Sequence, residues 1–301
     1  MSIGKIVKAV YHCMQRHYLT FRLLVWLKEK GITRRINFLI SHSNDANQRN
    51  NPTSQMLQAQ KFFSDKEVLE RLERVMSYLS DEKSCKVLSA CIDYRTKRIP
   101  IPNELFSEHD QYFVSEIIHI RDGEIFVDGG AYTGDTIQQL LDEARKQKVN
   151  IEKVLAFEPE EKNYTLLSKF YGNRSNINLI KQGLSDKKDV LLFSATGVTA
   201  KIVDDEDKAT DKIEVVNLDS ISECKDASFI KMDIEGAEWD ALHGARELIV
   251  RNKPKLAICL YHSDRDMIRL IEFVHELVPE YKLYVRHHSK SNVETVLYAV
   301  T

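Results

Sequence analysis

The amino-acid sequence predicts an α/β fold built around a mostly parallel sheet of seven strands. From residue 124 onward, short apolar runs alternate with helical patterns, and the runs are continuously apolar, as expected for strands buried on both faces. The last two runs are close enough in sequence to form an antiparallel pair. The seven runs are Ile125–Val127, Val154–Phe157, Ile177–Ile180, Phe229–Met232, Leu256–Leu260, Leu283–Val285 and Val296–Val300.

The connections between the runs support the same fold. Helical patterns follow the first, second, fourth and fifth runs, as a doubly wound parallel sheet requires. Between the third and fourth runs, Val190–Phe193 and Ile213–Val216 predict a β-hairpin with a long polar connection, where a helix would otherwise be expected. The polar turn Ser289–Asn292 joins the last two runs.

Residues 1–122 predict a helical extension that precedes a separate domain over residues 123–301. Apolar residues spaced three or four apart predict a helix over 3–30. Ser41–Ser54 is rich in Asn, Ser and Gln and predicts a loop. Ser64 and Glu67 then form a capping box for a second helix.

Positive charge is concentrated at the N-terminus. Residues 1–50 carry nine basic and two acidic side chains, so this segment has a charge of +7 in a chain of net charge −2. The basic amphipathic helix over 3–30 fits two interpretations. It packs on the core or on a second copy in a homo-oligomer, or it rests on an anionic membrane surface. The extension would accordingly serve substrate binding, dimer formation or membrane contact.

Composition favours a cytoplasmic protein. The five cysteines are scattered and never spaced as C-x-x-C, which indicates a reducing compartment rather than a disulfide framework. No apolar run approaches the roughly 20 residues needed to span a bilayer. A peripheral position on the inner face of the membrane is the alternative. The net charge of −2 gives no bias toward nucleic acid, which is not expected as a partner.

A glycine-bearing loop, Val127–Thr136, follows the first strand and predicts a nucleotide-like ligand. Glu158 follows the second strand, where related folds place a carboxylate on ribose hydroxyls. The loop reads D-x-G-x-x-x-G rather than the G-x-G-x-x-G that receives a pyrophosphate. Asp128 would repel a pyrophosphate but would hold the ammonium group of a methionine moiety. Charge therefore favours S-adenosylmethionine over NAD.

From about Glu124 to Thr301 the chain resembles the FkbM-type methyltransferase family. The resemblance implies a Rossmann-like class I methyltransferase fold, S-adenosylmethionine as methyl donor and, usually, O-methylation of a sugar or other small hydroxylated molecule. The matching stretches are Phe126–Thr136, Phe157–Pro159 with Asn163 and Leu166, Gly183–Asp186, Val216–Ile221, Ile230–Glu238 and Tyr261–His262.

The resemblance also implies roles for individual residues. Asp128, Gly130 and Gly134 would line the methionine portion, Glu158 would hold the ribose, and Asp186 would contact adenine. The broader class I pattern prefers a glycine where this chain has Tyr132, whereas the FkbM pattern accepts another residue there. The predicted cofactor-binding residues are Asp128, Gly130, Ala131, Tyr132, Gly134, Asp135, Thr136, Glu158, Asp186 and Asp233.

A second acidic cluster, Asp233–Glu238, follows the fourth strand and faces the same crevice. Residues two apart on a strand share a face, so Asp233 and Glu235 are expected to converge. Three roles remain open: Asp233 as a general base, Asp233 and Glu235 with His262 as ligands of a divalent cation such as Mg²⁺, or Glu235 and Glu238 as caps of the next helix.

His262 ends the fifth strand, at the edge of the sheet where substrates bind. Because imidazole titrates near neutral pH, His262 is a predicted catalytic residue. Asp233, as a possible general base, is the other. His287 and His288 follow the sixth strand, and at most one of them is expected to face the site, because neighbouring side chains on a strand point to opposite faces.

We therefore predict an S-adenosylmethionine-dependent methyltransferase that methylates a sugar hydroxyl in a glycan or small metabolite, as in polysaccharide biosynthesis. One alternative is a methyltransferase with a nitrogen or nucleic-acid acceptor. It is disfavoured because the Asn/Asp-Pro-Pro-Tyr-like stretch typical of amino-group methylation is replaced by Asp233–Gly236. The other alternative is a non-catalytic protein that binds S-adenosylmethionine.

Overall fold

The computed structural model of the chain describes residues 52–196, 199–202 and 211–301. The predicted helix over 3–30 and most of the loop predicted over 41–54 lie outside the described residues. The last residues of that loop are wrongly assigned, because helix α1 begins at Pro52 (Pro52–Phe63). Proline is tolerated in a first helical turn, since the N–H that it lacks would have no partner within the helix.

Two further helices precede the sheet, α2 (Lys66–Tyr78) and α3 (Glu82–Lys97). The cap predicted for the second helix is wrong by one residue. Asp65, not Ser64, accepts hydrogen bonds from the amides of Glu67 and Val68. The Ser64 hydroxyl instead donates to the carbonyl of Lys61. Asp65 and Ser64 are both good N-caps, so the sequence alone does not choose between them.

The predicted seven-stranded sheet is present, and all seven apolar runs form its strands. The strands are β1 (Glu124–Gly129), β2 (Ile151–Phe157), β3 (Ile177–Ile180), β8 (Phe229–Met232), β9 (Lys255–Cys259), β10 (Lys282–His287) and β11 (Thr295–Val300). Their order in the sheet is β10-β11-β9-β8-β1-β2-β3. Strand β11 runs antiparallel to both neighbours, as predicted, and the other pairs are parallel.

A smaller sheet interrupts the alternation between β3 and β8. Its strands are β4 (Gly183–Leu184), β5 (Asp189–Thr196), β6 (Thr199–Ile202) and β7 (Asp211–Val216), in the order β4-β7-β5-β6. The predicted pairing of Val190–Phe193 with Ile213–Val216 is confirmed, because β5 and β7 are antiparallel. The polar connection contains a further strand, β6, which pairs with β5.

Helices follow the strands where the sequence predicts them. They are α4 (Asp135–Gln147), α5 (Glu161–Tyr171), α6 (Glu238–His243), α7 (Arg246–Asn252) and α8 (Asp266–Leu277), with short 3₁₀ turns at Asn103–Leu105, Leu218–Ser220 and Ser222–Cys224. No helix among the described residues is long and apolar enough to cross a membrane.

Both faces of the large sheet are covered by apolar side chains. Because side chains alternate along a strand, Val127 and Phe126 belong to opposite faces. Val127 packs in a cluster that includes Val75 and Leu88 from α2 and α3. Phe126 packs in a second cluster with Phe113 and side chains of α4. Residues before the predicted boundary at 122/123 thus contribute to both clusters, within one compact unit of Ala59–Thr301.

The strand order positions the site. Strand β1 lies between β2 and β8, so the chain leaves β1 in one direction along the sheet and later returns on its other side. The carboxyl ends of these parallel strands meet at one edge, where doubly wound folds bind their ligands. The loop after β1, Glu158 after β2, Asp233 after β8 and His262 after β9 all lie at this edge.

We predict that the helices before the sheet unfold together with it. Leu88 is fully buried in the cluster that contains sheet residues, so Leu88→Ala should destabilise the protein by about 2–5 kcal/mol. Urea denaturation followed by fluorescence and by circular dichroism should give one shared transition at a lower midpoint. Leu69→Ala is the control, because Leu69 is 44% exposed and should change stability by less than about 0.5 kcal/mol. Separate transitions would show that residues before 123 fold as an independent domain.

Candidate active site

The loop between β1 and α4 has an unusual backbone. Gly130, Tyr132 and Gly134 all have positive φ, at 76°, 49° and 90°. A Cβ at Gly130 would overlap the carbonyl oxygen of Asp233, and one at Gly134 would overlap the ring of Tyr171. Glycine is therefore required at both positions. Tyr132 adopts a left-handed conformation that costs a non-glycine residue roughly 1–2 kcal/mol, which accounts for the class I preference for glycine at that position.

Glu158 lies immediately after β2 and is almost fully buried. Its Oε2 accepts the amide of Tyr132 at 2.8 Å. Its Oε1 accepts the amide of Glu160 at 3.0 Å and, more distantly, the Asn163 side chain at 3.4 Å. Burial raises the pKa of Glu158 to about 7, although these donors oppose the rise. A carboxylate has about four acceptor positions, so Glu158 retains the capacity to accept a ribose hydroxyl while it holds the loop.

Asp128 is fully buried at the end of β1 and forms an ion pair with Lys231 of β8, at 3.0 Å. Its predicted contact with a methionine ammonium group stays a prediction. Ala131 and Thr136 are buried, and Asp135 begins α4. Asp186 is exposed after β4, where its carbonyl accepts a hydrogen bond from Asn217. The predicted contacts of these residues with the cofactor also stay predictions.

Both carboxylate oxygens of Asp233 are held by tyrosines. Tyr261 donates to Oδ1 at 2.9 Å and Tyr112 donates to Oδ2 at 2.7 Å. The Nε2 atom of His262 lies 3.5 Å from Oδ1. Burial raises the pKa of Asp233, but the charges of Lys231 and His262 and the two phenol donors outweigh it and lower the pKa below its usual value. Asp233 is therefore an oriented anion at neutral pH.

The expectation that Asp233 and Glu235 share a strand face is wrong, because β8 ends at Met232 and Glu235 has a φ of 58°. Glu238 instead approaches His262 most closely, with Oε1 at 3.1 Å from Nδ1, whereas Glu235 lies 3.8 Å from Nε2 and is half-exposed. Glu238 also accepts the amide of Ile234 at 2.8 Å, which lies in the preceding turn. No side chain caps the start of α6, so the predicted capping of this helix by Glu235 and Glu238 is wrong.

His262 is more basic than the sequence suggests. Burial disfavours the charged imidazole, but the contact with Glu238 and the charges of Asp233 and Glu235 outweigh it and raise the pKa to about 9. At neutral pH the ring is therefore an imidazolium among carboxylates, not the neutral base that an ordinary histidine would supply. It accepts a proton only after it has lost its own.

The side chains best placed to hold a cation also differ from the predicted set. Among the described residues, ligand atoms of Asp233, Glu238 and His262 lie within 4.8 Å of one another. Glu235, which was predicted as a ligand, is not part of this group. A divalent cation there would have to displace the proton from His262, since a metal binds the neutral imidazole.

His287 and His288 do not take part in this cluster. Both are buried. His287 contacts Thr295 Oγ1 and the carbonyl of Ser291, and burial lowers its pKa to about 4. His288 contacts the carbonyl of Ser107 and the hydroxyl of Tyr298. The two histidines therefore connect β10 to neighbouring segments.

Sequence reasoning missed Lys231 and Tyr112. A lysine inside the apolar run Phe229–Met232 was an available signal, because a buried charge needs a partner. Tyr112 carried no such signal, because it reaches Asp233 across 121 residues of sequence.

The sheet order, the glycine loop and the buried carboxylate are those of the class I methyltransferase fold. The chain belongs to the FkbM methyltransferase family, since the model described as "Methyltransferase FkbM domain" matches residues 128–287. The resemblance seen in the sequence is thereby confirmed.

Two solved structures are similar to this chain. The crystal structure of the methyltransferase FkbM from Methylobacillus flagellatus KT is 28% identical, with a TM-score of 0.66, and the match covers 77% of this chain. The chain spans only 58% of the length of that protein. Fibrillarin from Aeropyrum pernix, solved with natively bound S-adenosyl-L-methionine, is 13% identical with a TM-score of 0.40, over 66% of this chain and 76% of its own. No curated protein sequence matches the chain.

We predict that cofactor binding weakens as the pH falls through 7. Ribose hydroxyls donate to an ionised carboxylate, and the pKa of Glu158 is about 7. Protonation at lower pH thus removes the acceptor, and affinity for S-adenosylhomocysteine should be about tenfold lower at pH 6 than at pH 8. Isothermal titration calorimetry measures this directly. Glu158→Gln should bind weakly at both pH values, whereas exposed Glu152→Gln should keep the wild-type profile. A wild-type affinity that does not change between pH 6 and 8 would contradict the assignment.

We also predict that Glu238 is the main source of the high pKa of His262. In Glu238→Gln the favourable charge is lost while burial remains, so the pKa should fall from about 9 by at least about 1. The imidazole Cε1–H resonance, assigned with His262→Asn, reports this in an NMR titration. Glu235→Gln is the matched control, and the half-exposed Glu235 should give a smaller fall. Equal falls in the two variants would refute a special role for Glu238.

Proposed function

We propose that the protein transfers a methyl group from S-adenosylmethionine to a hydroxyl of a sugar, in a glycan or a small metabolite. The observation that carries this proposal is the proton-accepting cluster of Asp233, His262 and Glu238 beside the cofactor loop. Asp233 belongs to the turn that packs against Gly130, and its amide donates to the carbonyl of Gly129 at 3.1 Å. A hydroxyl acceptor must lose a proton during transfer, and these are the groups at hand to receive it.

The cofactor supplies an activated methyl group with a good leaving group, so the residues of this chain have to bind, align and accept a proton. Glu158 and the loop Gly130–Gly134 would hold the donor. Asp233, fixed by the hydroxyls of Tyr112 and Tyr261, would orient the acceptor hydroxyl by accepting its hydrogen bond. Alignment of this kind contributes several kcal/mol to a displacement reaction, roughly 7–11 in ideal cases.

Glu238 and His262 would act together with Asp233 in accepting the proton of the acceptor hydroxyl. Glu238 contacts Nδ1 from a fully buried position, which leaves Nε2 on the side of Asp233. The proton on Nε2 keeps Asp233 paired until the acceptor enters. Once deprotonated, the same nitrogen would accept the proton released by the hydroxyl.

The electrostatics of the site disfavour a nucleic-acid acceptor. Asp233, Glu235 and Glu238 lie within one turn and the start of α6, and their charges would repel a phosphate backbone. A neutral polyol would not be repelled by these charges. We extend the proposal to a cytoplasmic enzyme whose residues 1–122 contribute to acceptor binding, to a homo-oligomer or to contact with the membrane surface.

Incubation with methyl-labelled S-adenosylmethionine and fractionated cell glycans tests the acceptor class, in buffer with magnesium or with EDTA. Label should enter the glycan fraction and be released by acid hydrolysis as methylated sugar. Asp233→Ala and His262→Ala should slow transfer by about 10²- to 10⁴-fold, while calorimetry finds a much smaller loss of affinity for S-adenosylhomocysteine. Asp240→Ala, an exposed carboxylate on α6, is the matched control.

Three outcomes would count against this function. Label found in protein or nucleic acid would favour the other acceptor classes. Loss of cofactor binding in a folded Asp233→Ala or His262→Ala protein would make these residues part of the cofactor site. Transfer that EDTA abolishes and magnesium restores would assign the cluster to a cation rather than to proton transfer.

A further inference from the structure

Lys231 stands in the middle of the sheet, in a strand whose other side chains are apolar. Its side chain is 2% exposed. The ammonium group donates to the carbonyls of Gly129 and Gly130 at 3.0 and 2.8 Å, and lies 3.0 Å from Oδ1 of Asp128. The two carbonyls accept two of the three N–H donors of the ammonium group, and the Asp128 carboxylate lies beside it as the partner of its charge. The ring of Tyr112 covers the same group, with its centroid 5.1 Å from Nζ.

Lys231 carries its charge in this position. Burial lowers the pKa of Lys231, but the carboxylates of Asp128 and Asp233 outweigh burial and raise it. The two carbonyl partners belong to the first residues of the cofactor loop, which continues through the three positive-φ positions Gly130, Tyr132 and Gly134. A loop in such a conformation persists where surrounding contacts determine it. Lys231 supplies two of these contacts.

Asp128 is poorly placed to hold a second ammonium group. It is fully buried, and its charge is already compensated by Lys231. A ligand ammonium that approached it would lose its hydration and meet a neutralised partner, together with the positive charge of Lys231. The sequence-based role of Asp128 assumed a carboxylate that faces the ligand.

We propose that Lys231 is a positioning residue for the cofactor loop, and that Asp128 acts on S-adenosylmethionine through Lys231 rather than by contact with the ligand ammonium. Asp128 holds the lysine side chain, and the lysine holds the carbonyls of Gly129 and Gly130. The loop then presents its remaining backbone groups to the ligand in one arrangement. This inference concerns cofactor binding alone and is independent of the acceptor.

Two ligands distinguish an effect of Asp128 through Lys231 and the loop from a direct contact of Asp128 with the ligand ammonium group. S-Adenosylhomocysteine carries the amino-acid ammonium group, whereas its deamino analogue, 5′-deoxy-5′-(3-carboxypropylthio)adenosine, has the same adenosine, thioether and carboxylate without it. Isothermal titration calorimetry should be run on wild type, Lys231→Met, Asp128→Asn and the double variant. If the pair acts through the loop, each variant weakens both ligands by the same factor, about tenfold, and the double variant is no weaker than the worse single variant. Lys231→Arg, which keeps the charge and the donors, should recover part of the loss.

Lys255→Met is the matched control. Lys255 begins β9 and pairs with buried Glu124 at 2.6 Å, at the opposite edge of the same sheet. This variant also breaks a buried ion pair, so it reports the general effect of such a loss on stability. Its affinity for both ligands should equal that of wild type, although its melting temperature falls.

The proposal is overturned if Asp128→Asn weakens S-adenosylhomocysteine much more than its deamino analogue, since that difference reports a direct ammonium contact. It is also overturned if folded Lys231→Met binds both ligands with wild-type affinity. Should the single variants fail to fold, the ratio of the two affinities in the double variant decides in the same way. The Asp128 carboxyl ¹³C resonance in unaltered protein is a second measure, and should respond alike to both ligands.

Discussion

The backbone of the loop after β1 lies against the turn after β8, and the geometry of the whole site depends on this contact. Gly130 has no room for a side chain because the carbonyl of Asp233 occupies that space. The amide of Asp233 in turn donates to Gly129. The loop proposed to bind the cofactor and the turn that carries the proposed proton acceptor are therefore fixed to each other through main-chain atoms. Main-chain contacts lose little conformational freedom on ligand binding, so donor and acceptor can meet in a preset alignment.

Two aspartates at this edge have different partners, and their chemistry differs accordingly. Asp128 is buried against Lys231, whose pKa the neighbouring carboxylates raise, so its partner keeps a positive charge at any physiological pH. Asp233 faces two phenols and His262, which is charged only while it holds a proton. Proton loss from the imidazole changes the field at Asp233, whereas the field at Asp128 is constant. The arrangement places a carboxylate with a constantly charged partner and one with a titratable partner at the ends of neighbouring strands.

The fold could be predicted from the sequence because its signals are local. A short, mainly apolar run such as Phe229–Met232 predicts a buried strand without reference to the rest of the chain. The position of Glu158 follows from the strand that it ends. The site could be predicted only in part. The choice of Glu238 over Glu235 depends on where β8 ends and on a left-handed residue in the turn. Tyr112 reaches Asp233 from a segment with no motif of its own. Contacts of this kind arise from tertiary packing, which residue spacing does not encode.

The position of Tyr112 has a consequence for how such enzymes can be recombined. The segment that matches the family begins at residue 128, yet one of the two hydroxyls that hold Asp233 comes from a residue before it. A chimera that joined residues 128–287 to a foreign N-terminal segment would keep each family motif and lose this donor. A new N-terminal segment would therefore have to supply its own hydrogen-bond donor to Asp233 in place of the Tyr112 hydroxyl.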